Sequence, residues 1–391
     1  MRIAIVNQRY GLEVNGGSEY YTRMLAEKLS PCYQIDILTT KAKSYSLWKN
    51  EYPADEETIH GVTVKRFEVT QPRKVWTQKI TGKLITFFRL NTEKISGKWA
   101  EAQGPVCPDL IQYIERNRER YDWFLFVTYL YYPTVAGLPL VKDKAILIPT
   151  AHDEFCIYFK VYERLFHMPR KMIYLTDEEK EFVQEQFHNE DIPSVVAAVG
   201  VDIPEKVDAD RFRGKYGIQG DYVIYVGRVD ESKGCAEMIN FFRRYIEETR
   251  DDGLQLVIIG QKFMEISDHP QIRYLGFVSE EDKFDGIKGS KALWLPSQFE
   301  SLSIAVLEAM SLHRPVVVNG RCEVLKGHCE KSGGGVWYTD YEEFAAGMGR
   351  LYSGEYETLC GNALRYVEKN YTWDVVIKKI RGLLEGKKNE Y

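Results

Sequence analysis

The sequence predicts an α/β protein with two doubly wound parallel-sheet domains, and three observations lead there. Short apolar runs alternate with amphipathic stretches from end to end. The alternation restarts after a polar, charged stretch near residue 210. The 391 residues also exceed one typical domain. Alternation of this kind needs crossover helices on the faces of a parallel sheet, so each run of the pattern is one domain. The composition is that of an ordinary globular chain, 44% hydrophobic and 28% charged. A net charge of -5 gives no basic field for phosphate backbones, so no nucleic-acid partner is expected.

The elements follow in order. Strand patterns cover 3–7, 34–39, 62–68, 123–128, 145–149 and 172–176. A helix pattern over 18–29 repeats Tyr21, Leu25 and Leu29 every four residues. After the polar stretch a fresh strand, Tyr222–Val226, ends in Gly227, and further strands read as 254–259, 292–295, 315–318 and 335–338. A last helix near 373–385 has an apolar face of Val376, Ile380 and Leu383. The expected division is 1–205, 206–370, and a C-terminal helix in 371–391 packing back on the first domain. The chain opens on a strand without an apolar leader, and no stretch of about 18 apolar residues occurs, so a cytoplasmic protein is expected. Seven cysteines without a CxxC pair fit reduced thiols. Cys322, His328 and Cys329 match no common zinc spacing, so no metal site is expected.

Three segments carry candidate chemistry. Gly16-Gly17-Ser18-Glu19 opens the first helix, where glycines let backbone amides approach an anion at the positive helix end; the plain alternative is a turn with Ser18 as cap. The spacing is not the G-x-G-x-x-G dinucleotide fingerprint. Arg228 and Lys233 stand five residues apart on the loop after the first strand of the second domain, where an Arg fork and a Lys point charge can converge on one diphosphate. Glu300 and Glu308 bracket a strand-to-helix transition in Leu295–Met310. A continuous helix between them would span roughly 12 Å, the reach from a ribose across a diphosphate to a hexose. The helix start at Leu302, Ser303 and Ile304, after Ser301, offers free amides to an anion.

In this order the segments resemble the retaining glycosyltransferases of family 4, which have the GT-B fold of two Rossmann-like domains facing across a cleft. The resemblance implies a metal-independent hexosyltransferase that needs no cofactor, with a nucleotide-diphosphate sugar, UDP- or GDP-linked, as donor substrate. It places Gly16 and Gly17 beside the donor diphosphate, with Arg228 and Lys233 as its binding cations. Glu300 faces the transferred sugar, and Glu308 holds the ribose hydroxyls. His152, in Thr150-Ala151-His152-Asp153, matches the family's histidine near the donor sugar, and Val278, in Leu275-Gly276-Phe277-Val278, matches the backbone that reads the base. Glu300, His152, Arg228 and Lys233 form the implied catalytic set. Ser303 departs from the glycine often found at its position.

Residues 72–99 hold seven basic residues (Arg73, Lys74, Lys79, Lys83, Arg89, Lys94, Lys98) against one acid, Glu93, with apolar residues at mostly helical spacing. This suits either an anionic membrane surface or a helix covering the first sheet. The first alternative favours a lipid-linked or glycan acceptor in cell-surface polysaccharide synthesis. Tyr129, Tyr131 and Tyr132 are candidates for stacking on an acceptor sugar or for packing. Glu280 could read guanine, but Ser279 and Asp282 also fit a helix cap. The rival readings are a non-catalytic sugar-nucleotide-binding subunit and a sugar-nucleotide 2-epimerase of the same fold.

Overall fold

The computed structural model describes residues 1–14 and 16–386. It divides into two compact units, residues 1–199 with 377–391, and residues 200–376. In the first unit the strands are β1 (Arg2–Val6), β2 (Gln34–Thr40), β3 (Glu56–Ile59), β4 (Val62–Phe67), β5 (Trp123–Val127), β6 (Ala145–Ile148), β7 (Lys171–Tyr174) and β8 (Ser194–Val196). They form one sheet in the order β3-β4-β2-β1-β5-β6-β7-β8. Only β3 runs antiparallel; it pairs with β4 through a turn in which His60 and Gly61 both have positive φ.

The second unit contains β9 (Tyr222–Val226), β10 (Gln255–Ile259), β11 (Ile272–Gly276), β12 (Ala292–Leu295), β13 (Val316–Asn319) and β14 (Gly335–Tyr338). These form an all-parallel sheet in the order β11-β10-β9-β12-β13-β14. Central strands such as Ile3–Val6 and Val223–Tyr225 are fully buried because helices cover both faces, which is why they read as unbroken apolar runs. In each sheet the strand order reverses beside the first strand, between β1 and β5 and between β9 and β12. Crevices at such points bind the ligands of doubly wound sheets.

The helix Trp373–Glu385 begins in the second unit and ends in the first. Within the second unit, the Val201 amide donates to the Tyr371 carbonyl at 2.9 Å. The Trp373 indole donates to Asp202 at 3.1 Å. Gly200 lies so close to Trp373 that a Cβ would meet its ring at 2.6 Å, so only glycine fits there. In the first unit, the Tyr33 hydroxyl donates to Glu385 at 2.7 Å, and Ile380 and Leu384 are buried.

Candidate functional site

At the β9/β12 reversal the loops after both strands come together. Gly227 and Gly260 end β9 and β10 back to back, and a Cβ on Gly260 would stand 1.8 Å from the Gly227 carbonyl. Asp230 caps the single turn Glu231–Lys233, accepting the Lys233 amide at 3.0 Å. Gly234 then takes a left-handed φ of 74°, and a Cβ there would meet the Pro296 carbonyl at 2.4 Å. That close approach seats the first loop on the second. The Lys233 Nζ donates to Glu300 Oε1 at 2.7 Å, with the two side chains 25% and 18% exposed. Arg228 has its carbonyl tied by the Tyr225 hydroxyl at 2.5 Å, while its side chain stays 58% exposed, 3.6 Å from Asp230. The structure therefore brings Arg228, Lys233 and Glu300 onto one pair of facing loops, with one cation already on a carboxylate and the other reaching outward.

The helix opens at Ile304, within the expected 302–304, so the path from Glu300 to Glu308 is not helical throughout. The helix is Ile304–Ser311, and Ser303 stands before it at φ 65°, ψ 87°. This left-handed conformation breaks the helical path and is the region glycine takes at no cost. It also explains why a glycine suits this position. The Leu302 carbonyl is held by the buried His328, whose Nε2 donates to it at 2.8 Å. The carbonyl can only accept, and the ring's Nδ1 lies 3.1 Å from the Tyr366 hydroxyl. Ser301, Leu302 and Ser303 thus form a fixed loop, and Ile304 opens a helix whose first amides have no intrahelical acceptor.

Glu308 is not gripped by the same cation as Glu300. Its buried carboxylate accepts from Lys283 Nζ at 2.8 Å. Burial pushes the Glu308 carboxyl up, and Lys283 pulls against that shift. Lys283 lies in the helix Glu280–Gly289, capped by Ser279, which accepts the Asp282 amide at 3.0 Å; the capping alternative for this stretch is realised. Glu280 is exposed and paired with Lys283 at 2.9 Å. Val278 is half-buried just after β11, beside the exposed Phe277. Asp208-Ala209-Asp210 has the spacing of a metal-binding Asp-x-Asp but is a helix cap: Asp208 accepts the amides of Asp210 and Arg211 at 3.0 and 3.1 Å.

At the β1/β5 reversal of the first unit, Gly16 caps the helix Gly17–Leu29 with no side-chain bond, so Ser18 is not the cap. A Cβ on Gly16 would fall 2.2 Å from Glu19 Oε2, whereas Gly17 has open space. Glu19 is buried and bound by Arg9 Nε and Nη2 at 2.9 and 2.6 Å and by Gln8 at 3.0 Å. His152 follows β6 beyond Thr150, whose φ is 52°. Its Nε2 is 3.8 Å from Glu154, which accepts the Tyr129 hydroxyl at 2.6 Å. The loop is pinned by Glu179, which accepts the Ala151 and Leu175 amides, both at 2.6 Å. Burial lifts the Glu179 carboxyl to about 8 in spite of these amides. Tyr129 and Tyr131 are packed, not available for stacking: Tyr129 lies 4.8 Å edge-on to Tyr162, and Tyr131 5.5 Å from Trp48.

Residues 72–99 are not one helix. Helices Val75–Thr86 and Glu93–Gln103 are separated where Arg89 takes φ 54°, and Thr92 caps the second. Ile85 and Trp99 are buried, but Trp76, Phe87, Phe88 and Ile80 are 81%, 80%, 61% and 57% exposed. Arg73 leaves the basic face and stacks over Tyr45 and Trp48, 4.4 and 5.1 Å from their rings. Lys283 and Glu179 escaped the sequence reading, and His328 entered it only as a rejected metal ligand. Lys283 and His328 act through partners distant in sequence, whereas Thr176 and Glu179 have the spacing of a capping box that could have been read.

The two Rossmann-like domains, each with its own switch-point loops, define a protein of the GT-B fold. Residues 220–354 match the family described as Glycosyl transferases group 1. The chain is 29% identical over 184 residues to an uncharacterized glycosyltransferase of Methanocaldococcus jannaschii, covering 43% of this chain and 46% of that one. It is 27% identical over 176 residues to glycogen synthase of Thermus thermophilus, covering 42% and 38%. The matches therefore span less than half the length of these curated relatives. Among solved structures, sucrose-phosphate synthase of Thermosynechococcus elongatus superposes with a TM-score of 0.70 at 15% identity, over 98% of both chains. HepE of Anabaena, in complex with UDP and glucose, superposes with 0.71 at 14% identity, over 99% of this chain and 100% of that one.

Proposed function

We propose that the chain is a retaining glycosyltransferase that moves a hexose from a UDP- or GDP-linked sugar to a glycan or lipid-linked acceptor. The observation that carries this reading is the Lys233–Glu300 pair at the β9/β12 switch point, beside exposed Arg228 and the helix start at Ile304. Breaking a glycosyl–diphosphate bond puts negative charge on the leaving oxygen. Arg228, Lys233 and the free amides at Ile304 would stabilise that charge electrostatically. A donor phosphate competes for Lys233, and Glu300 released from it can accept hydrogen bonds from the sugar hydroxyls. Glu308 takes the ribose and Val278 the base; for Gly16, Gly17 and His152 a donor role follows from the family resemblance alone. Front-face attack, with the departing phosphate taking the acceptor proton, gives retention with neither an enzymatic nucleophile nor a metal. HepE of Anabaena is known in complex with UDP and glucose and with UDP-glucose, so UDP-sugars are the first donors to test.

The assignment extends to the cytoplasmic face of a membrane and to polysaccharide synthesis. The exposed Trp76, Ile80, Phe87 and Phe88 lie among exposed Lys74, Lys79, Lys83 and Arg89, a composition suited to the headgroup boundary of an anionic bilayer. Changing Trp76, Phe87 and Phe88 together to Ser is expected to abolish co-sedimentation with phosphatidylglycerol vesicles. Unchanged sedimentation rejects the membrane partner.

A thermal-shift screen of nucleotide sugars tests the donor reading. A donor at about 100 times its Kd stabilises the folded state by about 2.7 kcal/mol. Radiolabelled turnover with the donor that binds then separates an enzyme from a binding subunit of the same fold. Binding without transfer or hydrolysis supports the subunit.

A further inference from the structure

Glu308 and Lys283 make a pair whose leftover hydrogen-bonding capacity can be counted. The Glu308 side chain is 6% exposed, and Lys283 donates to it at 2.8 Å and to Glu280 at 2.9 Å. An ammonium has three donors, and two are taken by these carboxylates. An ionised carboxylate has about four acceptor sites, and Lys283 takes one of those on Glu308. One donor, on an ammonium that also lies 4.4 Å from the Phe284 ring centre, and several acceptors remain at one place. This complements a vicinal diol, each of whose hydroxyls donates once and also accepts.

The pair is not needed to fasten its helix. Glu280–Gly289 is already tied to the helix Ala209–Tyr216 by Lys215 to Asp282 at 2.7 Å and by Arg211 to Asp285 at 2.5 Å. Burial alone works against the Lys283 ammonium, but Glu308 and Glu280 outweigh it and hold it charged. The charged groups acting on Glu308 are these same two, Lys283 and Glu280, both from the helix packed against it.

We infer that Lys283 is a specificity-determining residue of the proposed donor site, gripping the ribose diol of a ribonucleoside diphosphate jointly with Glu308. Glu308 accepts from the hydroxyls, Lys283 donates to one of them, and the ammonium keeps the buried carboxylate in its accepting form. This rests on the donor reading above. It adds a residue to the ribose end and assigns it the discrimination of ribose from deoxyribose. Without Lys283, the buried Glu308 carboxyl would sit higher still and take up a proton more readily as the pH falls, turning an acceptor into a donor.

The test is titration of UDP, GDP and their 2′-deoxy counterparts into the wild-type chain and Lys283→Met at pH values from about 6 to about 8. The wild type is expected to favour the ribonucleotide by about tenfold or more, a lost bond to a charged group being of that size. Lys283→Met is expected to bind the ribonucleotide about tenfold more weakly, to lose most of the ribose preference, and to weaken further toward pH 6. Lys283→Gln keeps a donor without the charge and serves if the Met variant does not fold. It is expected to retain part of the preference but to acquire the same weakening in acid. An unchanged ribose preference and pH profile in either folded variant overturns the role of Lys283 and leaves the donor reading standing. Failure of the wild type to bind any of the four nucleotides overturns both.

Discussion

The two units wind their sheets alike, but their switch points are furnished differently. At β9/β12 the charged groups are partly open to water: Arg228 reaches outward and Lys233 rests on a half-covered Glu300. At β1/β5 the comparable pair, Arg9 and Glu19, is buried and closed on itself, and Gly16 exists because the Glu19 carboxylate fills the space of a Cβ. The same topology thus offers one reversal point whose charges a ligand can recruit. The charges of the other are already spent on shaping the loop. Position in the fold locates a crevice; the partners of its charged groups decide what the crevice can do.

Exchanging the two roles gives the largest expected effects. Arg9→Met leaves Glu19 buried without its cation and is expected to cost about 3–5 kcal/mol in urea unfolding. Lys233→Ala removes only a partly exposed pair, worth about 0–1 kcal/mol, and should leave the unfolding midpoint nearly unchanged. The same change should lower glycosyl transfer by about 100- to 1000-fold with the donor found by thermal shift. Equal losses of stability in the two variants would erase the contrast.

A smaller effect sharpens it from the side of the first unit. The Glu179 carboxyl rises from an ordinary 4.5 to about 8 through burial, so the folded chain holds a proton that the unfolded chain releases. That contribution is complete below about pH 4.5 and fades as pH climbs through about 8. Melting temperature should therefore fall between pH 5 and pH 8, by about 2–4 °C for each kcal/mol involved. Glu179→Gln should flatten that slope; an equal slope in the variant refutes it. Smallest is Ser303→Gly, which relieves a left-handed serine and should stabilise by about 1 kcal/mol in the same urea assay.

Central strands were legible because burial on both faces leaves an unbroken apolar run, as in Tyr222–Val226. The edges were not. Glu56–Ile59 is polar and half-exposed, Ser194–Val196 is three residues long, and Ile272–Gly276 is mostly half-buried. Arg228, Lys233 and Glu300 could be found because each follows a strand end in a recognisable order. The helix start after Glu300 was legible too, but the left-handed conformation of Ser303 has no spacing signature of its own. The aromatic content of 72–99 suggested one amphipathic helix, but its residues divide: Ile85 and Trp99 are drawn into the core, and Trp76 and Phe87 are left outside.

The discontinuous first unit has a consequence for how the protein is made and dissected. Residues 377–386 supply Ile380 and Leu384 to a unit that otherwise ends at Val199, and Glu385 accepts the Tyr33 hydroxyl. A ribosome therefore releases every residue of the second unit before it releases the last of the first. Single-point truncation near 199 yields an amino-terminal fragment with an uncovered apolar groove, and grafting 377–386 onto that fragment is the way to obtain it whole.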